Sequence, residues 1–372
     1  MQLSSALSWL VDAAGDEQAP DRFLANLGAR LVEDSLPLAA GALTLDLPHP
    51  LIARRTFLWR AATGQVTEAL GFVPGEGLAL PGLAPTGQTA SGPPGAAGRH
   101  WLAGQGAGVI HEDVIGQRSD GPLLAWIGPH AFTGEEADRL RQAARFAAAP
   151  LGALTMRATL NAALEAYLGR RSAARVLARP LRRGIGETIQ AALLFADLRC
   201  FTQLSENHPP LTVIASLDAW FDRIAGSVHA FGGEVLKFIG DGVLAIFPVT
   251  EGAPGGACDA ALRAVAAARS GMVRLDEARR LQGLAPLRFG AALHLGEMLW
   301  GNIGAADRLD FTAIGPAVNL VSRLEGLCRP LDKTVLVSGA FAAETGMELL
   351  PLGTHALRGI AAPCAVFTVP EE

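Results

Sequence analysis

Two aspartates in this chain sit where apolar runs end. Asp197 closes AALLFAD (191–197), and Asp241 lies in GGEVLKFIGDGVLAIFP (232–248), where two apolar runs flank Gly240-Asp241-Gly242. A carboxylate that follows a buried strand is held at the edge of a sheet. Two of them on neighbouring strands can chelate Mg2+, a hard cation that takes oxygen ligands from carboxylates and phosphates. Taken singly, each reads better as a turn residue. The second stretch also holds Lys237, one of two lysines in a chain whose Lys and Arg together number 31. Other chemistries lack their motifs. Neither lysine completes a Walker-type phosphate loop, GIGETI (184–189) lacks the third glycine of a dinucleotide fingerprint, and there is no H-E-x-x-H or G-x-S-x-G.

The elements that must hold these residues follow from periodicity. IQAALLFADLRCFTQLSE reads as a strand, a turn and a helix start, and LTVIASLDAWFDRIAGSVHAFGG as an amphipathic helix stopped by paired glycines. The runs around Gly240-Asp241-Gly242 form a β-hairpin candidate. GACDAALRAVAAARSGMVRLDEARRLQG is a further helix, and LRFGAALHLGEMLWGNIG offers two strands around a Gly296-Glu297 turn. DRLDFTAIG is another strand and PAVNLVSRLEGL another helix, with KTVLVSG, AAETG and CAVFTVP closing the chain. The order, βααββαββαββ, predicts a mixed sheet with helices on one side.

LLFADLRCFTQLSE, GGEVLKFIGDGVLAIFP and DFTAIGPAVNLVSRLEG resemble the three signature stretches of the class III nucleotidyl cyclases, in that family's order and at about its spacing. The likeness covers about 187–370. It implies an α+β fold, a ferredoxin-like palm, and a homodimer whose active sites lie at the interface. It implies ATP as substrate, with cyclic AMP and pyrophosphate as products of attack by the ribose 3′-hydroxyl on the α-phosphate. Two ions per site, Mg2+ or Mn2+, are implied on Asp197 and Asp241, with the carbonyl of Leu198 a further ligand. The start of the helix at 199–202, with Phe201 and Thr202, matches the backbone cradle for the β- and γ-phosphates. Lys237 matches the residue that donates to adenine N1, and Thr312 the acceptor for the adenine amino group. Asp310, two residues earlier on the same strand face, is an alternative acceptor. Asn319 and Arg323 match the pair that orients the ribose and neutralises charge growing on the phosphate; four residues apart on a helix, they share a face. Arg308 stands in for a second phosphate-binding cation, and Arg358 in HALRG has no clear counterpart. Cys200 replaces the glycine of the cradle, where a Cβ is costly if the backbone needs a positive φ. Pro316 stands where aspartate or asparagine is commoner. A guanylyl cyclase and a non-catalytic cyclase-like regulator are the alternatives; Lys237 disfavours the first.

The half before this region is less legible. Residues 20–34 carry a helical apolar spacing (Phe23, Leu27, Leu31), and 42–47, 54–61, 65–72, 107–111 and 122–127 read as strands. Residues 74–98, rich in Gly, Pro, Ala and Thr, read as a long loop. This predicts a GAF- or PAS-like α+β regulatory domain over 1–132, with an unknown ligand or partner. Residues 133–186 read as a helical dimerising connector that opens on a Thr133/Glu136 capping box and is broken or kinked at Pro150, leaving 187–372 as the catalytic domain. The net charge of −5 argues against nucleic acid as a partner. No apolar run approaches a membrane span, so no membrane insertion is expected. Four separated cysteines fit a reducing, cytoplasmic setting.

Overall fold

The computed structural model describes residues 4–46, 52–72, 95–116, 121–178, 182–184, 186–250 and 252–370. The chain divides into two compact units, Met1–Tyr167 and Leu168–Glu372, a boundary inside the segment read as a connector.

The first unit runs α1 (Ser5–Asp12), α2 (Pro20–Glu33), β1 (Ala40–Asp46), β2 (Ile52–Arg60), β3 (Val66–Phe72), α3 (Ala96–Leu102), β4 (His111–Val114), β5 (Leu123–Ile127) and α4 (Gly134–Leu168). Its five strands form one antiparallel sheet, ordered β3-β2-β1-β5-β4. Alternation along the strands divides the core in two. Leu43, Leu45, Phe57, Trp59, Leu124 and Trp126 cluster with apolar residues of α1, α2 and α4, while Ala40, Ala42, Leu58, Ala125 and Ile127 cluster with Leu102 of α3. The expected strand at 107–111 instead begins at His111. Most of the expected loop at 74–98 lies outside the described residues, and its last residues open α3.

The capping box forms as read: Thr133 N–H donates to Glu136 at 2.7 Å, and Glu136 N–H to Thr133 Oγ1 at 3.3 Å. Of the break or kink expected at Pro150, the break does not occur: α4 runs on through it. Pro150 is buried, and its helical neighbours Ala147, Leu151 and Leu154 are locked into the apolar core, which offsets one missing backbone hydrogen bond. The chain breaks instead at Gly169, with φ of 80°. The other face of α4 carries Phe146, Ala149, Ala153, Met156, Leu160, Ala163 and Tyr167 at alternating three- and four-residue steps, all exposed except the half-buried Ala163.

The second unit continues with α5 (Arg170–Ala178), β6 (Gly186–Leu198), α6 (Phe201–Asn207), α7 (Pro210–Ala230), β7 (Glu234–Ile239), β8 (Gly242–Pro248), α8 (Pro254–Leu281), β9 (Phe289–Gly304), β10 (Leu309–Ile314), α9 (Pro316–Glu325), β11 (Val335–Ser338), α10 (Gly339–Ala342), β12 (Leu350–His355) and β13 (Cys364–Thr368). Its sheet is ordered β12-β13-β11-β9-β6-β8-β7, with β10 also on β9. The central β9-β6-β8-β7 order, with helices between β6 and β7 and between β8 and β9, is the ferredoxin-like arrangement. The sheet is mixed, since β11 runs parallel to β9 while the other pairs are antiparallel.

Two sequence expectations fail here. Residues 289–304 are one strand, not two around a turn at Gly296. β6 pairs with β9 along its whole length, and a Cβ on Gly296 would lie 2.7 Å from Cβ of Ala317. That glycine therefore serves close approach by α9 rather than a reversal. Helices also cover both faces. Leu194, Ala196 and Leu198 pack with Trp220, Ile224 and Val228 of α7 and with α8, while Ala191 and Leu193 pack with Val321 and Leu324 of α9. The alternation of buried residues along β6 requires two layers.

Candidate active site

β6 and the β7–β8 hairpin bring the two aspartates together. Asp197 is the penultimate residue of β6, with Leu198 after it. Asp241 completes a two-residue turn opened by Gly240, whose φ of 65° suits a hairpin connection. The indole Nε1 of buried Trp220 donates to the Asp241 carbonyl at 2.9 Å and fixes the turn from below. Burial first, then Asp241 beside it and the charge of Glu325, push the Asp197 carboxyl up to about 7. Oδ1 of Asp197 is buried without a hydrogen-bond partner. Facing carboxylates with one oxygen orphaned suit a divalent cation. Among the described residues no set of three His, Cys, Asp or Glu side chains is grouped for a metal. An ion here therefore draws its remaining oxygens from backbone, water or substrate.

Two residues of this acidic site escaped sequence reasoning. Burial raises the pKa of Glu325, at the end of α9; Arg199 opposes this and Asp241 adds to it. Arg199 anchors itself by donating to the carbonyls of Cys328 at 3.3 Å and Lys333 at 2.5 Å. Both lie inside the quoted signature stretches, but only the fold puts them beside the aspartates.

Cys200 adopts the left-handed conformation, φ 62° and ψ 27°, that its replacement of glycine made a concern. It stands exposed before α6. The N–H of Arg199 is already spent on the Arg288 carbonyl at 2.7 Å, so the expected cradle at 199–202 lacks that donor. Phe201 leans on the apolar core and Thr202 is exposed.

A second cluster lies on β7 and β10. A bulge between Val235 and Lys237 shifts the register of β7, and Lys237 Nζ donates to Oδ2 of Asp310. Thr312, half-buried, shares the strand face of Asp310. Asn319 and Arg323 lie exposed one turn apart on α9, and neither side chain has a hydrogen-bond or ion-pair partner among the described residues. Arg199 is a cation whose charge reaches Glu325 of the acidic cluster. Arg308 is exposed in the turn between β9 and β10, and Arg358 is exposed near the C-terminal end.

Residues 186–350 match the family described as Adenylate and Guanylate cyclase catalytic domain. The chain is 32% identical over 184 residues to Adenylate cyclase 1 of Rhizobium meliloti, covering 48% of this chain and 27% of that protein. It is 30% identical over 159 residues to Adenylate cyclase of Anabaena cylindrica, covering 42% and 30%. The matches thus span less than a third of the length of these curated relatives. A solved structure of a bacterial light-regulated adenylyl cyclase superposes with a TM-score of 0.52 at 21% identity, over 70% of this chain and 85% of that one, a likeness of fold. With the signature stretches, the ferredoxin-like sheet and the facing aspartates, the match defines residues 186–350 as a catalytic domain of the adenylate and guanylate cyclase family.

Proposed function

We propose that the protein is an adenylyl cyclase, forming 3′,5′-cyclic AMP and pyrophosphate from ATP in two composite sites of a homodimer. The observation that carries this reading is the facing pair Asp197 and Asp241 with its orphaned Oδ1. Asp197, Asp241 and the Leu198 carbonyl would hold Mg2+ or Mn2+, which would supply neutralisation of the triphosphate and a lower pKa for the ribose hydroxyl. Lys237 donates to adenine N1 and is held in place by Asp310, which also offers an acceptor to the adenine amino group alongside Thr312. Asn319 orients the ribose. Arg323, a permanent cation, meets the charge that grows on the α-phosphate. The N–H groups at Phe201 and Thr202 receive the outer phosphates, and Arg308 is the proposed second phosphate-binding cation.

The unpartnered Asn319 and Arg323 support a shared site completed by a second copy. The exposed heptad-like seam on α4 supports the same reading. The first unit, one antiparallel sheet flanked by helices, suits a GAF- or PAS-like sensor acting through α4. Among the described residues no helix is long and apolar enough to cross a membrane. All four cysteines are free, which fits a reducing cytoplasm.

The test is purified full-length protein offered ATP and GTP separately with Mg2+ or Mn2+, with cyclic product measured. Cyclic AMP from ATP in excess over cyclic GTP from GTP is expected. Absence of cyclic AMP with either metal, at concentrations where the protein is dimeric, overturns the proposal. Preference for GTP would turn it into a guanylyl cyclase.

A further inference from the structure

Glu234 opens β7 and is 4% exposed, yet the reaction above gives it no task. Its Oε1 accepts from the backbone N–H of Ser172 at 3.0 Å and from the Ser172 hydroxyl at 3.1 Å. Ser172 lies in the first turn of α5 and is itself buried. The other oxygen, Oε2, is buried without a hydrogen-bond partner; Arg171 Nε stands 3.9 Å away and is half-exposed. Arg171 also donates to the Gly232 carbonyl at 3.4 Å, just before β7. Gly169, the break after α4, closes on the same carboxylate: a Cβ there would lie 3.1 Å from Glu234 Oε1 and 3.4 Å from the Val235 carbonyl. Farther along α5, Arg175 pairs with Glu187 of β6 and lies over the Trp300 ring of β9 at 4.2 Å.

A carboxylate at a helix N-terminus satisfies free N–H groups and the positive end of the helix dipole. Burying one with half its acceptor capacity unused is destabilising in itself. What Glu234 secures is position. It ties the first turn of α5 to the first residue of the strand that carries Lys237 three residues on and leads into the turn at Asp241. We propose that Glu234 is a positioning residue for the nucleotide site, clamping α5 to β7 so that the seating of α5 sets the placement of Lys237. This rests on the cyclase reading and names the device by which the helix after α4 reaches that site.

The experiment uses the full-length chain and the variants Glu234→Ala, Glu234→Gln, Ser172→Ala and the Ala double variant. Glu234→Ala is expected to raise KM for ATP about fivefold or more with a smaller change in kcat, and to narrow the ATP-over-GTP ratio of kcat/KM. Glu234→Gln keeps a carbonyl acceptor for Ser172 and should restore most of the loss. Ser172→Ala should act in the same direction but less, and the double variant should be no worse than Glu234→Ala, because both remove one contact. Without nucleotide, amide hydrogen exchange over 234–239 should accelerate in Glu234→Ala and Ser172→Ala but not over 289–304. A folded Glu234→Ala with KM and base preference within about twofold of wild type and unchanged exchange overturns the proposal. If Glu234→Ala does not fold, Ser172→Ala carries the same comparison. A wild type that turns over neither nucleotide overturns the cyclase reading instead, and the exchange data then decide on the clamp alone.

Discussion

Arg323 stands exposed with no hydrogen-bond or ion-pair partner among the described residues, so removing it breaks no such contact there. Arg323→Ala should therefore leave thermal unfolding unchanged while lowering kcat about 10²- to 10³-fold, the usual loss for one group that meets developing charge. Steady-state kinetics beside a melting curve checks both halves. Lys237 and Asp310 make a narrower test. Asp310→Asn leaves the ammonium without its counter-charge and should narrow the ATP-over-GTP preference about tenfold, whereas Thr312→Ala should do so only if Thr312 is the acceptor. His294 concerns stability instead. It is buried, its Nδ1 lies 2.8 Å from the Ser338 hydroxyl, and burial pushes its pKa down from 6.5 to about 4. Below about pH 6.5 the unfolded chain takes up a proton that the folded chain refuses until about 4, so stability drains across that window and levels off beneath it. His294→Gln should remove on the order of 3 kcal/mol of that acid loss, read from urea unfolding midpoints at a series of pH values. At this scale motif and spacing single out the two aspartates, the lysine and the Asn319/Arg323 pair as candidates, and the fold brings the two aspartates together. Glu325, Arg199 and Trp220 were not legible. Trp220 and Glu325 reach the aspartates from distant parts of the chain, and Arg199 acts on Glu325 across the fold, so one-dimensional spacing carries no sign of these contacts.

Gly296 was read as a turn because glycine before glutamate punctuates a sequence, but β9 runs straight through it. Strand pairing with β6 decides the conformation, and the missing side chain makes room for Ala317 on α9. Gly296→Ala should thus push against the helix that carries Asn319 and Arg323. A destabilisation of about 1–3 kcal/mol, with a fall in kcat larger than any rise in KM, is expected. Chemical unfolding and steady-state kinetics on the same preparation measure it. At Pro150 the helix runs on for a related reason. Local propensity says break, but the buried face of α4 outweighs one lost hydrogen bond. The short strand β12 was missed because LPLGTH, with its proline and glycine, has weak strand character and pairs with β13 through a bulge. The hairpin was legible throughout, since its turn chemistry and its flanking apolar runs point the same way.

For the molecule as a whole, the chain divides into two compact units, and the boundary falls inside the segment read as a helical connector, at residue 168. Composition changes gradually along α4, so the sequence held no marker of where one core ends. The outer face of that helix leaves Met156 74% and Tyr167 89% exposed. A Leu160→Glu, Met156→Glu variant should dissociate in analytical ultracentrifugation and lose activity in proportion. Sharing of sites has its own signature. Asp241→Ala and Lys237→Ala, each inactive alone, should recover about a quarter of wild-type activity when mixed, since half the dimers are mixed and each has one intact site. No recovery after subunit exchange would place both residues in one site. Lys237, partly exposed and tied to Asp310, has a practical consequence as well. A protein of 372 residues with only two lysines offers an acylating reagent very few side-chain targets, and one of them lies at the proposed base pocket. Amine labelling, with its yield followed by peptide mass spectrometry, becomes a near site-selective gauge of whether that pocket is filled.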